Sequence, residues 1–195
     1  MRGKRLFVVG VKMLIEPVIL AAGYGTRLQS VVLDLPKPLA DVNGRPFISY
    51  LLDQLINAGF ESVLICEGYR HKDFVRMLGW KYKNLSINYA DEQFPHGPGS
   101  SLKSAFPLIK SVYALVLNAD TLVDIDLRKY ISDFLSSGKV LSVVVSGDKN
   151  AGMYIIPSKF IANLNIEEPF HVYRAKGFLD IGTPETYKLA QELLK

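Results

Sequence analysis

Apolar residues occur along this chain in short continuous runs that alternate with longer, helically spaced patterns. Continuous apolar runs are typical of strands that are covered on both faces of a sheet. Six such runs predict strands: Pro17–Ala22, Ser62–Cys66, Leu85–Ala90, Tyr113–Asn118, Val140–Val145 and Met153–Ile156. Strands that alternate with helices predict right-handed βαβ units and a mostly parallel sheet, which is an α/β fold.

The helical patterns have recognisable ends. Apolar residues spaced three and four apart predict a helix that begins at Phe47, and Gly59 is expected to end it. Near the carboxyl terminus, Thr183 is a predicted N-cap, with Pro184 at the first helical position. The spacing predicts helices in three further segments: Ser100–Lys110, Leu127–Ser137 and Pro184–Leu194.

A length of 195 residues suits one well-buried domain, and the sequence shows no internal repeat or linker. Residues 1–12 begin with basic residues, but Lys12 interrupts the apolar run and no signal-peptide cleavage site follows. We therefore predict an N-terminal extension over residues 1–12 and a single domain over residues 13–195. No apolar stretch approaches the length of a membrane-spanning helix.

The composition is that of an ordinary globular protein, with 49% hydrophobic and 22% charged residues. A net charge of +4 suits a polyanionic small molecule, although a generally basic surface explains it equally well. No basic run with interleaved aromatic residues suggests nucleic acid as a partner. The one cysteine, Cys66, cannot form an internal disulfide, which favours the cytoplasm.

The first predicted strand runs into a glycine-containing loop, Leu20-Ala21-Ala22-Gly23-Tyr24-Gly25-Thr26-Arg27-Leu28. Small residues at a strand's carboxyl end let backbone N–H groups approach phosphate oxygens, and Arg27 adds a cation. Gly-x-Gly alone also fits an ordinary tight turn. The loop is not the dinucleotide fingerprint, since its third glycine would fall at Leu28, and it lacks the Gly-Lys-Ser/Thr of a P-loop.

A second motif follows at Pro36-Lys37-Pro38. Prolines on both sides restrict the backbone and hold the lysine ammonium in one place. By itself this motif is equally an exposed lysine in a rigid turn. Together, the glycine-containing loop and the Pro-Lys-Pro motif are far more specific.

With these motifs the sequence resembles the sugar-phosphate nucleotidyltransferase family, and within it guanylyltransferases that act on heptose 1-phosphate or mannose 1-phosphate. The matching segments are Leu20–Leu28, Pro36–Pro38, Asp41–Phe47, Asn118–Thr121 and Phe178–Glu185. The resemblance implies a three-layer α/β/α, Rossmann-like nucleotide-diphospho-sugar transferase fold from about Pro17 onwards. It also implies Mg²⁺-dependent transfer of a nucleoside monophosphate from a nucleoside triphosphate to a sugar 1-phosphate, with release of pyrophosphate.

The resemblance also assigns roles to residues. It places Arg27 and Lys37, as the catalytic cations, against the triphosphate and the incoming phosphate. It implies that Asp120 and Asp180 hold one Mg²⁺; Asp120 alone would read as a strand-end turn residue. The loop residues implied in nucleotide binding are Leu20, Ala21, Ala22, Gly23, Gly25 and Thr26.

The base pocket implied by the resemblance contains Glu92 and Gly97. A carboxylate at position 92 can accept hydrogen bonds from N1–H and N2–H₂ of guanine, which favours GTP. If Gln93 reads the base instead, CTP or UTP remains open.

On the acceptor side, Asn150 matches the family asparagine that contacts the sugar. The family's longer preceding segment, with its Glu-Lys pair, is missing, and Lys149 is a candidate substitute for that lysine. The shortened region raises an alternative function, a catalytically weak nucleotide-sugar-binding or regulatory subunit. The retained Arg27 and Lys37, with both aspartates, favour the enzyme, and the sequence leaves the oligomeric state open.

Overall fold

The computed structural model describes residues 14–23, 26–28, 31–32, 35–68, 70–91, 98–161 and 170–195. These residues contain the strands β1 (Ile15–Leu20), β2 (Asp41–Val42), β3 (Arg45–Pro46), β4 (Ser62–Glu67), β5 (Lys81–Tyr82), β6 (Leu85–Asp91), β7 (Tyr113–Asn118), β8 (Thr121–Asp124), β9 (Ser142–Ser146), β10 (Lys149–Pro157), β11 (His171–Arg174) and β12 (Gly177–Asp180). The α-helices are α1 (Ile48–Ala58), α2 (His71–Leu78), α3 (Pro98–Ala105), α4 (Leu127–Ser136), α5 (Ser158–Ile161) and α6 (Pro184–Leu193).

Eight strands form the central sheet, in the order β11-β9-β10-β7-β1-β4-β6-β5. The four central strands β7, β1, β4 and β6 are parallel, so their carboxyl ends meet at one edge. Strand β10 is antiparallel to both of its neighbours, whereas β11 is parallel to β9. Strands β8 and β12 form a separate antiparallel pair, as do β2 and β3. The mostly parallel sheet predicted from the sequence is confirmed.

Helices cover both faces of the sheet. Buried side chains of α1, α2, α4 and α6 belong to one hydrophobic cluster, which includes Leu51, Phe74 and Phe134. Residues of α3 and α5 pack on the other face, where Leu102 and Ile161 are buried. This arrangement confirms the three-layer α/β/α fold. No helix in the described ranges is long and apolar enough to cross a membrane.

Several predicted elements have the predicted bounds or nearly so. Strand β7 coincides with the predicted segment, and α1 ends at Gly59, whose φ of 96° is in the left-handed region that glycine tolerates. Thr183 caps α6, accepting a hydrogen bond from the backbone N–H of Thr186 in a capping box. Local signals therefore defined these ends correctly.

Other elements differ from the prediction. Helix α3 stops at Ala105 and a 3₁₀ turn, Phe106–Leu108, replaces its predicted last turns, because Pro107 has no N–H to donate. Strands β9 and β10 form a hairpin without an intervening helix, and β10 extends well beyond the predicted Met153–Ile156. The sequence did not predict α2, α5, β2, β3, β5, β8, β11 or β12, and none of these elements is longer than eight residues. The predicted extension over residues 1–12 lies outside the described residues.

Candidate active site

The glycine-containing loop leaves the sheet between β4 and β7. The Ala21 N–H donates to the Cys66 carbonyl over 2.8 Å, and the Ala119 N–H donates to the Leu20 carbonyl over 3.0 Å. Ala21 and Ala22 are buried, whereas Gly23 is exposed. The loop therefore begins at the carboxyl edge of the parallel strands, where open α/β sheets bind their ligands.

Gly68 follows β4 and lies against this loop. A Cβ atom added to Gly68 would lie 3.3 Å from the Ala22 carbonyl oxygen and 3.6 Å from the Ala22 Cα. A side chain at position 68 would press on the backbone of the loop, because neither contact is with a flexible group. The sequence reading did not identify Gly68, although its position directly after a strand was a signal of close backbone approach.

Lys37 contacts Asp120, which is 83 positions away in the sequence. Lys37 begins a 3₁₀ turn, Lys37–Leu39, directly after Pro36. Its Nζ lies 2.5 Å from Oδ2 of Asp120, and the two side chains are 13% and 28% exposed. The Pro-Lys-Pro segment thus directs its cation at the residue that follows strand β7 by two positions.

Asp120 and Asp180 are brought together by the β8–β12 pair. Asp180 is the register partner of Thr121, and the Ile181 N–H donates to the Asp120 carbonyl over 3.0 Å. Oδ1 of Asp180 accepts from the Gly182 N–H at 2.8 Å and from Oγ1 of Thr186 at 3.4 Å. The sequence reading did not assign Thr186 any part in this site.

Arg27 lies in the same region, in the 3₁₀ turn Thr26–Leu28, and its side chain is exposed. A Cβ atom added to Gly182 would lie 2.7 Å from Oδ1 of Asp180 and 3.6 Å from Nη2 of Arg27. The guanidinium and the Asp180 carboxylate therefore approach the same point. The structure thus groups Arg27, Lys37, Asp120 and Asp180 at one edge of the sheet.

The donor set fits a hard cation that is only partly held by protein. Asp120 and Asp180 supply carboxylate oxygens, and the described part of the chain contains no group of three or more His, Cys, Asp or Glu arranged for a metal. Mg²⁺ keeps several waters and is commonly bound by one or two carboxylates together with substrate phosphates. A pair of aspartates beside two cations fits that chemistry better than it fits an all-protein metal cage.

The predicted acceptor-side residues lie on β10, beside β7. Oδ1 of Asn150 accepts from the Gly152 N–H over 2.8 Å. Gly152 has a φ of 69°, and a Cβ atom there would lie 2.5 Å from Nδ2 of Asn118. Lys149 is exposed at the first position of β10. Asn118 and Gly152, which the sequence reading did not treat as site-shaping residues, join the acceptor strand to the strand that leads to Asp120.

Three predicted site residues, Gly25, Glu92 and Gly97, lie outside the described residues.

A further polar contact lies at the carboxyl end of β4, where Nδ1 of His71 lies 2.5 Å from Oε1 of the buried Glu67. Burial of the Tyr89 ring, and then the nearby Glu67 carboxylate, raise the pKa of the Tyr89 phenol. The Tyr89 hydroxyl therefore stays protonated at neutral pH.

The fold and the charged groups at its carboxyl edge are those of a nucleotide-transferring enzyme. The model of the family described as nucleotidyl transferase matches residues 16–156, which is more than half of the chain. The chain belongs to this nucleotidyl transferase family.

Within the family, this chain is similar to D-glycero-α-D-manno-heptose 1-phosphate guanylyltransferase of Aneurinibacillus thermoaerophilus, with 28% identity over 92% of this chain and 98% of the relative. The mannose-1-phosphate guanylyltransferase of Mycobacterium tuberculosis is 32% identical over 70% of this chain and 39% of its own. Among solved structures, HddC from Yersinia pseudotuberculosis matches 92% of this chain and 99% of its own, with a TM-score of 0.79 and 26% identity. HddC complexed with GMP-PN matches equally well.

Proposed function

We propose that this protein transfers GMP from GTP to a sugar 1-phosphate and releases pyrophosphate. The observation that carries the proposal is the grouping of Lys37, Arg27, Asp120 and Asp180 at the carboxyl edge of the sheet. The relatives named as guanylyltransferases, and the HddC complex with GMP-PN, support GTP as the nucleotide. The same reaction with CTP or UTP is the alternative.

The reaction brings two anions together, so its main requirements are charge neutralisation and positioning. A phosphate oxygen of the sugar 1-phosphate attacks the α-phosphorus of the triphosphate, and pyrophosphate leaves on the opposite side. In the proposal, Arg27 and Lys37 bind the phosphate oxygens and stabilise the charge that develops there. The nucleotide is held by the glycine-containing loop, through Leu20, Ala21, Ala22, Gly23, Gly25 and Thr26.

Mg²⁺ is the proposed cofactor, held by Asp120 and Asp180. When bound, it supplies positive charge to the phosphate oxygens. Around this proposed cation site, the Lys37 ammonium pairs with Asp120, while the Gly182 N–H and the Thr186 hydroxyl donate to Asp180. Both carboxylates are therefore held in place by neighbouring polar groups.

The choice of guanine rests on Glu92, with Gly97 as the proposed point of close approach. A carboxylate accepts two hydrogen bonds from guanine, and cytosine and uracil offer no matching pair of donors. Another base in this pocket would leave one or more buried polar groups without a hydrogen-bond partner. Sites that hydrogen-bond a substrate group discriminate strongly against substrates that lack it.

On the acceptor side, we propose that Asn150 and Lys149 contact the sugar phosphate. The alignment with the Aneurinibacillus relative spans 226 positions but covers 92% of the 195 residues of this chain, or about 179, so about 47 positions of the relative have no counterpart here. This shorter length agrees with the missing segment before Asn150 that the sequence indicates. It also keeps a second function in view, a nucleotide-sugar-binding or regulatory subunit with weak catalysis.

The proposed compartment is the cytoplasm, because the single cysteine is buried and free, as is common in reducing surroundings. The proposed partners are the nucleoside triphosphate and the sugar 1-phosphate, with neither nucleic acid nor a membrane involved.

A pyrophosphate-release assay tests the function. Each of GTP, ATP, CTP and UTP is combined with mannose 1-phosphate, D-glycero-α-D-manno-heptose 1-phosphate or glucose 1-phosphate, with and without Mg²⁺. We expect pyrophosphate from GTP with mannose- or heptose-type acceptors. Nucleotide binding without pyrophosphate release in any combination would support the regulatory alternative.

A further inference from the structure

The carboxyl edge of the sheet continues beyond Asn150 to its last strand. Asn150 of β10 is the register partner of Val145 on β9, and Val145 is the register partner of Arg174 on β11. Neighbouring strands lie about 4.8 Å apart, so the Cα atoms of Asn150 and Arg174 are separated by about 10 Å. Arg174 therefore lies at the same edge of the sheet as Asn150, two strands further from the charged group of Arg27, Lys37, Asp120 and Asp180.

The side chain of Arg174 also shares a face of the sheet with Asn150. On β11, Tyr173 packs against Tyr130 of α4, with ring centroids 5.1 Å apart. Since successive side chains of a strand point to opposite faces, Arg174 faces away from α4. On β9, Val144 belongs to the cluster that includes α4, so Val145 faces away from α4, and so does Asn150, which is the register partner of Val145.

Lys149 differs from Asn150 in this respect. The same alternation directs the Lys149 side chain to the face that carries Ala151 and α4. Of Lys149 and Arg174, therefore, only Arg174 shares a face of the sheet with Asn150.

The guanidinium of Arg174 is available for a ligand. Among the described residues, its Nη1 donates to the Gly147 carbonyl at 3.5 Å, and no carboxylate pairs with it. The guanidinium groups of Arg45, Arg70 and Arg76 each pair with an aspartate. An exposed cation without an acidic neighbour keeps its planar set of N–H donors for other acceptors.

We propose that Arg174 binds the acceptor sugar phosphate at the end of the sugar remote from the reacting phosphate. The proposal rests on the proposed function. It follows from the order of groups along the edge: the charged cluster at β1 and β7, then Asn150, then Arg174. The planar donors of the guanidinium suit pairs of hydroxyl oxygens of a sugar. This contact supplies part of the sugar-phosphate binding that the shortened acceptor region has lost.

The test is steady-state kinetics with GTP and Mg²⁺, using mannose 1-phosphate and D-glycero-α-D-manno-heptose 1-phosphate as acceptors. Arg174→Ala should raise the acceptor KM about ten- to a hundredfold, as expected for lost hydrogen bonds to a charged group. The KM for GTP and the kcat at saturating acceptor should stay unchanged, because the contact is made equally in the ground state and the transition state. Arg174→Lys should restore the acceptor KM only in part, since a lysine lacks the planar donor set.

Two further variants complete the comparison. Lys139→Ala removes an exposed cation in the turn before β9 and should behave as wild type. Lys149→Ala should raise the acceptor KM less than Arg174→Ala does. Suppose that the wild-type enzyme makes the GDP-linked sugar and that Arg174→Ala has an unchanged acceptor KM. This result would overturn the assignment of Arg174 and leave the proposed function intact. Failure of the wild type to make that product from either acceptor would instead remove the proposed function and, with it, this inference.

Discussion

The contact between Lys37 and Asp120 links the two parts of the proposed chemistry. A lysine expected to bind phosphate pairs directly with a carboxylate expected to bind the metal. Without ligands, each group neutralises the other in a partly buried setting, which keeps both oriented. In the proposed mechanism, binding of nucleotide and metal exchanges one set of charge partners for another.

This exchange predicts a competition that can be measured without turnover. Lys37→Met removes the cation that competes for Asp120, so the nucleotide-free protein should bind Mn²⁺ more tightly, by on the order of 1 kcal/mol. The same variant should lose turnover by on the order of 10²–10³-fold, because a phosphate-binding cation is gone. Calorimetry with MnCl₂ alone checks the first effect.

The matched control is Lys83→Met, which removes a lysine from another ion pair, with Asp53 at 2.6 Å. It should leave Mn²⁺ affinity unchanged. Equal or weaker Mn²⁺ binding by Lys37→Met would show that Asp120 is not a metal ligand.

The proposed recognition of guanine by Glu92 predicts the effect of a second substitution. Glu92→Gln replaces one acceptor oxygen by an NH₂ donor, which faces a donor of guanine. We expect kcat/KM for GTP to fall by on the order of 10²-fold or more, with no change in the melting temperature. A full nucleotide panel on the variant measures this, and an unchanged preference for GTP would remove the argument for guanine recognition by Glu92.

Between elements, the close pairing of β7 and β10 leaves no room for a side chain at Gly152. An added Cβ would meet Nδ2 of Asn118 at 2.5 Å and Cγ at 3.0 Å. The close approach brings the acceptor strand next to the strand that leads to Asp120.

A pair of alanine substitutions separates this contact from backbone strain. Gly152→Ala and Gly147→Ala both place alanine at a positive φ, 69° and 59°, but only Gly152 has atoms within 4 Å of the new Cβ. Both should lose about 1–2 kcal/mol from the left-handed conformation, and Gly152→Ala about 1–3 kcal/mol more from the clash. Urea unfolding measures both, and equal losses would contradict the packing described here.

A second link between elements is electrostatic. Asp53 of α1 pairs with Arg45 of β3 at 2.8 Å and with Lys83, before β6, at 2.6 Å. Partial burial tends to raise the pKa of Asp53, but the hydrogen bonds and charges of Lys83 and Arg45 outweigh it and hold the pKa below its usual 3.8. A lowered folded-state pKa stabilises the fold above the unfolded pKa, and this stabilisation is lost as the pH falls through the folded value.

Asp53→Asn should therefore lower the free energy of unfolding at pH 7, and the difference from wild type should shrink as the pH falls below about 4. Denaturant unfolding at pH 7, 5 and 3 measures this difference. A gap between the two proteins that is the same at all three pH values would show that the ion pairs do not contribute.

The sequence was sufficient for elements with strong local signals, and insufficient for pairings between distant segments. The apolar run of β7 and the cap at Thr183 are local, and both were predicted correctly. The β8–β12 pair was missed because both strands are short and distant in sequence: Asp180 pairs with Thr121, which lies 59 positions earlier. The register of such a pair is set by tertiary packing rather than by propensity. The motifs named Lys37, Asp120 and Asp180, but only the fold shows that they meet.

The same limit applies to Arg174. Nothing in its immediate sequence indicates a ligand contact, because its own strand, β11, is short and pairs with β9 residues about 30 positions earlier. Its position beside Asn150 becomes visible only when the register across three strands is known.

For the molecule as a whole, the proposed nucleotide side of the site holds more charged groups than the proposed acceptor side. Four charged residues cluster beside the glycine-containing loop, whereas the side-chain oxygen of Asn150 already accepts a hydrogen bond from the Gly152 N–H. We expect GTP affinity in the range usual for the family's enzymes and a sugar-phosphate KM of about 1 mM or above, the upper end of common values.

Calorimetry with GTP and with mannose 1-phosphate separately checks this imbalance. Tight binding of the sugar phosphate that survives both Lys149→Ala and Arg174→Ala would show that another part of the chain completes the acceptor site.

Guanylyl transfer itself is tested most directly by following the label from GTP carrying ³²P at either the α- or the γ-phosphate. With mannose 1-phosphate or D-glycero-α-D-manno-heptose 1-phosphate and Mg²⁺, the α-label should appear in a GDP-linked sugar and the γ-label in pyrophosphate. Asp120→Asn should abolish both products. Appearance of the γ-label on the sugar or in inorganic phosphate, with no α-label in a GDP-linked sugar, would contradict nucleotidyl transfer by this protein.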